Sequence, residues 1–90
     1  MDKVIITVVG KDTVGIIAKV CTYLADHKIN ILDISQTIVQ EYFNMMMIVD
    51  GRGANVSFDE MSSGLDEIGA GIGVNIKCQR EEIFTKMHRI

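Results

Sequence analysis

Proline is absent from all 90 residues. Linkers and long loops usually contain it, so its absence fits one compact domain with short connections. A basic surplus is absent too. Nine Lys and Arg stand against twelve Asp and Glu, a formal charge of −3. A general nucleic-acid binder carries a basic face, and this chain has none in sequence, so no nucleic-acid partner is expected. Cysteine is scarce. Cys21 and Cys78 are far apart and form no C-x-x-C, which excludes the usual thiol metal and redox signatures. Cys21 falls on the apolar stripe of a predicted helix and Cys78 on the inward side of a predicted strand, so both read as core residues. No apolar stretch is long enough to span a membrane. The run from Val4 stops at Gly10, too short for a secretory leader, and the expected location is cytoplasmic.

Phosphate and catalytic motifs are missing as well. There is no G-x-G-x-x-G and no G-x-x-x-x-G-K-[ST], and Ser, His and Asp occur without a nucleophile motif. His27 and His88 read as surface residues. Asp59, Glu60, Asp66 and Glu67 form the solvated face of a helix. No catalytic constellation, metal or cofactor is expected from these residues.

What is present is periodic. Nearly half of the residues, 48%, are apolar. Val4 to Val9 is β-branched and reads as a strand, with Val4, Ile6 and Val8 on one side and Ile5, Thr7 and Val9 on the other. Val14 to His27 reads as a helix with a stripe at Val14, Ile17, Cys21 and Leu24, broadened by Ile16, Ala18, Val20 and Ala25. His27 and Lys28 would close its last turn, where positive charge suits the helix dipole. Ile31 to Val39 alternates as a second strand, with Leu32, Ile34 and Ile38 on one side. After the short turn Gln40-Glu41, Tyr42 to Asp50 returns with Phe43, Met45, Met47 and Val49 on one face. Ser57-x-x-Glu60 is a capping box opening a second helix over Ser57 to Ile68. Val56 and Met61 are placed to staple it, and Gly69, Gly71 and Gly73 are expected to end it. Val74, Ile76 and Cys78 alternate as a fourth strand. Ile83, Phe84, Met87 and Ile90 suggest a short C-terminal helix.

The order is β-α-β-β-α-β plus a tail. This is the α+β, ferredoxin-like sandwich: a four-stranded antiparallel sheet with two helices on one face. Residues 1–80 would form the domain and 81–90 a helical tail. The other face of the sheet, with Ile5, Val9, Met46 and Ile48, is more apolar than a solvated face usually is. Either the tail or a partner subunit covers part of it. A chain this short buries only about 60–65% of its unfolded surface, so pairing with a second copy would add stability.

Fold alone does not set function. A copper chaperone would need paired cysteines between Gly10 and Gly15, and there are none. An acylphosphatase-like site would need an arginine cradle there, and Lys11 is the sole cation. An RNA-recognition sheet would show exposed aromatics on its central strands, where only Tyr42 qualifies.

The segment Val8-Val9-Gly10-Lys11-Asp12-Thr13-Val14-Gly15-Ile16-Ile17-Ala18 runs from strand through loop to helix. Asp12 and Thr13 have side chains suited to capping the first free N–H groups. Gly15 lacks a Cβ and would let a small anion approach those donors; the alternative is that Gly15 permits close helix–strand packing. This segment, followed by Leu24 to Ile34, resembles the opening half of an ACT domain. The shared features are the glycine-x-aspartate loop Gly10-Lys11-Asp12, the second glycine Gly15, and Asn30-Ile31 opening the second strand. Many members carry proline just before the second glycine, where this chain has Val14. The likeness extends over residues 3–79, and the tail resembles that of small stand-alone prokaryotic members. It implies a regulatory module binding an amino acid or similar small molecule, not an enzyme. In such proteins domains pair side by side, and effectors sit where the first loop of one subunit meets the second strand of the next. By that likeness Asp12, Thr13, Val14, Gly15, Ile16, Asn30 and Ile31 would contact ligand in a homodimer. Asn30 carries donor and acceptor, although it also suits a turn. With no enzyme domain appended, output would pass through another protein or through assembly. The alternative is a structural or interaction dimer with no ligand.

Overall fold

The structure is a computed structural model that describes residues 1–11 and 14–81. In chain order the elements are β1 (Lys3–Lys11), α1 (Ile16–Asp26), β2 (Asn30–Val39), β3 (Tyr42–Asp50), α2 (Phe58–Ile72) and β4 (Val74–Arg80). The strands form one sheet in the order β2-β3-β1-β4, with every neighbouring pair antiparallel. This is the βαββαβ sandwich expected from the periodicity. The predicted C-terminal helix over Ile83 to Ile90 lies outside the described residues.

Alternation along β1 and β3 builds the core. Val4, Ile6 and Val8 pair with Val49, Met47 and Met45, and none of the six is more than 1% exposed. Ile16, Val20 and Leu24 of α1 and Met61 and Leu65 of α2 cover them. Burying a side chain of this size is worth roughly 1.5–3 kcal/mol, so this double row dominates the fold's stability.

Helix α1 begins later than its pattern suggests. Its N-cap is Gly15, with φ 89°, in the left-handed region. The helix therefore starts at Ile16, and the buried stripe is Ile16, Val20 and Leu24 rather than Val14, Ile17, Cys21 and Leu24. Val14 is 97% exposed, and Cys21 is half-buried. The helix ends in a Schellman motif. The Lys28 N–H donates to the Ala25 carbonyl at 3.1 Å and the Ile29 N–H to the Leu24 carbonyl at 2.9 Å. Lys28, at φ 60°, takes the left-handed position that glycine usually fills. His27 is thus the C-cap and Lys28 lies just past the helix, not in its last turn.

Helix α2 opens on the expected capping box. The Glu60 N–H donates to Ser57 Oγ at 3.1 Å, and the Ser57 N–H donates to Glu60 Oε1 at 3.2 Å. It then runs past Ile68 to Ile72, and only Gly73, at φ 79°, ends it. Gly69 and Gly71 are helical. Gly69 is buried because β4 folds back against it, and a Cβ there would lie 2.7 Å from the Val74 carbonyl oxygen. Nothing lies within 4 Å of a Cβ added at Gly71.

Strand β2 is an edge strand, exposed from Leu32 to Val39. An irregularity between Ile31 and Asp33 interrupts its ladder with β3. Ile31 takes the core-facing place opposite Val49, and Leu32 sits in the irregularity at 47% exposure. Ile34 and Ile38 do share the helix-side face, opposite Met47 and Phe43, yet remain 40% and 53% exposed at the sheet's edge.

The two α2 glycines give opposite expectations. Gly71→Ala should stabilise the domain by about 0.5–1 kcal/mol, because it adds helix propensity into open space. Gly69→Ala should destabilise it by about 1–3 kcal/mol through overpacking against backbone. Urea midpoints of the two variants read the sign directly. A gain at both positions would mean that β4 does not press on α2 at Gly69.

Candidate functional site

The sequence-predicted site divides into two clusters at opposite ends of the sheet. One end holds the β1–α1 junction. There Lys11 pairs with Tyr42, and Val39 pairs with Tyr42 from the other side. The other end holds Asn30, paired with Asp50, which also faces Lys3. Strand β2 separates the two clusters by roughly 30 Å, nine steps of about 3.3 Å each. Within one chain Gly15 and Asn30 therefore cannot touch the same small molecule.

At the first end, Asp12 and Thr13 lie outside the described residues. Gly15 caps α1 without any side-chain hydrogen bond, and no acidic residue occupies the first turn. The contrast with α2 is direct. That helix satisfies its first turn with its own capping box and places Asp59 and Glu60 there. A helix N-terminus carries a partial positive charge, and among the described residues no side chain caps that of α1. The Ile16 side chain is 2% exposed and belongs to the core, so this residue offers a ligand only its backbone. Val14 is fully exposed.

Gly15 has a clear physical role. Among the described residues a Cβ there would meet nothing within 4 Å, so it is not a packing contact between helix and strand. Its φ of 89° is what demands glycine.

At the second end, Asn30 is exposed and Ile31 is half-buried against the core. Beside Asn30 lies an ion pair that sequence reasoning missed. Asp50 accepts from the Arg52 backbone N–H at 3.0 Å, from Arg52 Nε at 3.0 and 3.1 Å, and from Nη2 at 2.7 Å. The guanidinium and its hydrogen bonds hold the Asp50 carboxyl down to about 2. The signal was present as Asp50-Gly51-Arg52-Gly53, an Asx turn in which an aspartate bonds the backbone two residues on. An open hollow lined by Met1, Asp2, Lys3, Arg52, Arg80 and Glu81 lies at this same end.

The cysteines were expected in the core, but both are only half-buried and pack against its outside. Cys78 is half-buried, and burial pushes its thiol up to about 11. Among the described residues no three His, Cys, Asp or Glu converge as a metal site, and no helix is long and apolar enough to cross a membrane.

The comparisons place this geometry. The profile of the ACT domain matches residues 2–79. A UPF0237 protein of Bifidobacterium longum is 67% identical over the whole of both chains. The solved ACT domain protein from Streptococcus pneumoniae is 41% identical, with a TM-score of 0.81, over 92% of this chain and 93% of that one. The regulatory subunit of aspartate kinase from Thermus thermophilus is 26% identical, with a TM-score of 0.67, over 87% of this chain and 50% of that one. The fold, with its glycine-capped first helix, is a small ferredoxin-like α+β sandwich. The chain belongs to the ACT domain family.

Two measurements test this local chemistry. Gly15→Ala should cost about 1–2 kcal/mol of stability despite the open space, because the left-handed conformation opposes a Cβ. Gly15→Asn should cost less. Equal stability of wild type and alanine variant would remove the conformational role. For Asp50, a side-chain NMR titration should show a midpoint near 2. A depressed folded-state value means that the pair's contribution is present above the ordinary carboxylate range and lost as pH falls through about 2. Arg52→Ala should return the midpoint to the ordinary range; a midpoint left near 2 would show that Arg52 is not the cause.

Proposed function

We propose that the chain is a regulatory module that binds an amino acid between two copies of itself. The observation that carries this reading is the separation of the two clusters along β2. Strand β2 is the last in the sheet order, so its outer backbone edge has no strand beside it among the described residues. Leu32, Ile34, Ile38 and Val39 are all at least 40% exposed along it. An unblunted apolar edge of this kind pairs readily with another strand. A two-fold axis beside β2 sets the partner strand antiparallel. The partner's Asn30 then comes to the Val39 end, where α1 begins. Only strand β3 lies between β2 and β1 at that end, roughly 10 Å across two strand spacings.

In this arrangement the ligand carboxylate lies against the N–H groups of Val14, Gly15 and Ile16, with Asp12 and Thr13 beside it. The other subunit contributes the Asn30 amide and the Ile31 backbone. Asn30 reads ammonium with its oxygen or carboxylate with its nitrogen. Exchange of water for ligand there would favour the paired state, so the output is assembly or contact with a regulated protein. The reading assigns no catalytic residue, and it places the protein in the cytoplasm, where amino-acid pools are sensed. The exposed apolar row on β2 also suits a second reading, a structural dimer through the same edge with no ligand.

The experiment combines sedimentation with a thermal-shift screen of the proteinogenic amino acids. A dimer at micromolar concentration is expected, and a monomer throughout would remove both readings. A ligand at one hundred times its Kd adds about 2.7 kcal/mol, several degrees for a domain this small. No shift with any amino acid leaves the structural dimer. With a hit in hand, Asn30→Ala should keep the fold and the dimer. It should lose about 1.5–3 kcal/mol of binding, roughly ten- to a hundred-fold in affinity by calorimetry. Unchanged affinity would put the ligand elsewhere.

A further inference from the structure

We propose that two copies of the chain pair through β2 in a single register, with Gln36 on the two-fold axis and Ile34 of each copy opposite the partner's Ile38. The proposal rests on the reading of a dimer through the β2 edge and fixes the alignment that such a dimer takes.

The usable length of the strand comes first. The ladder of β2 is irregular between Ile31 and Asp33, and it ends at Val39, before the turn Gln40-Glu41. The regular part is therefore Asp33 to Val39, with Gln36 at its centre. Identical strands beside a two-fold axis run antiparallel, and each contact occurs twice. An axis at Gln36 pairs every regular residue: Asp33 with the partner's Val39, Ile34 with the partner's Ile38, Ser35 with the partner's Thr37. An axis at Ser35 sets Ile38 and Val39 against the irregularity. An axis at Thr37 sets Asp33 and Ile34 against the turn.

The side chains select the same axis. Residues directly opposite in an antiparallel pair share a face, so a slip by one residue would set the helix-side row against the outer row. The helix-side row of β2 is Ile34, Gln36 and Ile38, which lie opposite Met47, Met45 and Phe43 of the core. With the axis at Gln36 the row meets its copy as Ile–Ile, Gln–Gln and Ile–Ile. The exposed isoleucines then cover each other, and the central amide, donor and acceptor at once, can bond its own copy. With the axis at Ser35, Ile34 would face a glutamine; with it at Thr37, Ile38 would. Asp33 is the sole charged residue of β2. In this register it lies about 20 Å along the strand from the partner's Asp33, so no like charges meet.

The register also sets the site. β1 ends at Lys11, level with Tyr42 and Val39, and α1 is the next element of the chain. An axis at Gln36 carries the partner's Asn30 just past Val39, to the level of the turn Gln40-Glu41. Moving the axis by one residue moves that Asn30 along the edge by about 7 Å, further than a hydrogen bond reaches. The alignment of the two strands therefore decides whether the two halves of the site meet.

Nitroxide labels read the axis by symmetry. Asp33→Cys and Val39→Cys, each made with Cys21→Ala and Cys78→Ala, place a label on the outer row. Double electron–electron resonance should give the same distance for both, because both lie three residues from the axis. A Val39 distance longer than that for Asp33 by about 13 Å would put the axis at Ser35, and the reverse would put it at Thr37; either overturns the proposal. Charge variants test it without labels. Ile34→Lys with Ile38→Glu sets Lys against Glu twice and should sediment as a folded dimer. Ile34→Lys with Ile38→Lys sets Lys against Lys and should sediment as a folded monomer. Equal masses for the two would overturn the pairing of Ile34 with Ile38. A monomeric wild-type protein removes the edge dimer and the register together, whereas a wild-type dimer with unequal label distances removes the register alone.

Discussion

The fold depends on removing one face of two central strands from water. β1 and β3 lie side by side in the middle of the sheet, and their alternate residues form a double row of Val, Ile and Met. That row determines which way each helix must turn and which residues become its buried stripe. The row is rich in methionine, with Met45 and Met47 in the sheet and Met61 above them. Methionine is unbranched and adaptable, so it fills irregular space between a twisted sheet and two unequal helices. β2 and β4 share less of this burial. β4 is drawn in by α2, which presses on it at Gly69, whereas β2 lies at the edge of the sheet and stays exposed.

The two helices begin in different ways, and that difference concentrates the chemistry at one end. α2 satisfies its own first turn with Ser57 and Glu60. α1 enters from a left-handed glycine that contributes no side chain. One helix start is therefore closed by its own side chains and carries negative charge, and the other has no capping side chain among the described residues. The far end of the sheet has its own polar cluster at Asn30, Asp50, Arg52 and Lys3, where a guanidinium neutralises the carboxylate. The length of β2 keeps these clusters apart within one molecule.

Much of this was legible in the chain. Alternation at Val4, Ile6 and Val8, and at Phe43, Met45, Met47 and Val49, identified the core faces, because a strand repeats every two residues. Ser57 and Glu60 announced the start of α2, because a capping box is local chemistry. The resemblance of Gly10-Lys11-Asp12, Gly15 and Asn30-Ile31 to ACT domains pointed to the family. Helical periodicity was less exact. Val14 and Ile17 fit the stripe as well as Ile16 and Val20 do on spacing alone, and only the positive φ at Gly15 selects the second set. Gly69 and Gly71 looked like helix ends by composition. Packing against β4 explains why a glycine is needed inside the helix at residue 69.

The sequence by itself determined the element order, the inward face of three strands, the box that opens α2 and the family, because each rests on contacts or patterns within a few residues. Tertiary structure decided the rest. That β2 is the open edge follows from the sheet order, which pairs strands distant in the chain. That Asp50 is clamped by Arg52, and that Asn30 stands beside that pair, follows from a turn and a register seen only in three dimensions. That the two site clusters lie at opposite ends follows from the parallel course of β1 and β2 on either side of β3. Strand direction is a property of the assembled sheet, and no run of neighbouring residues encodes it.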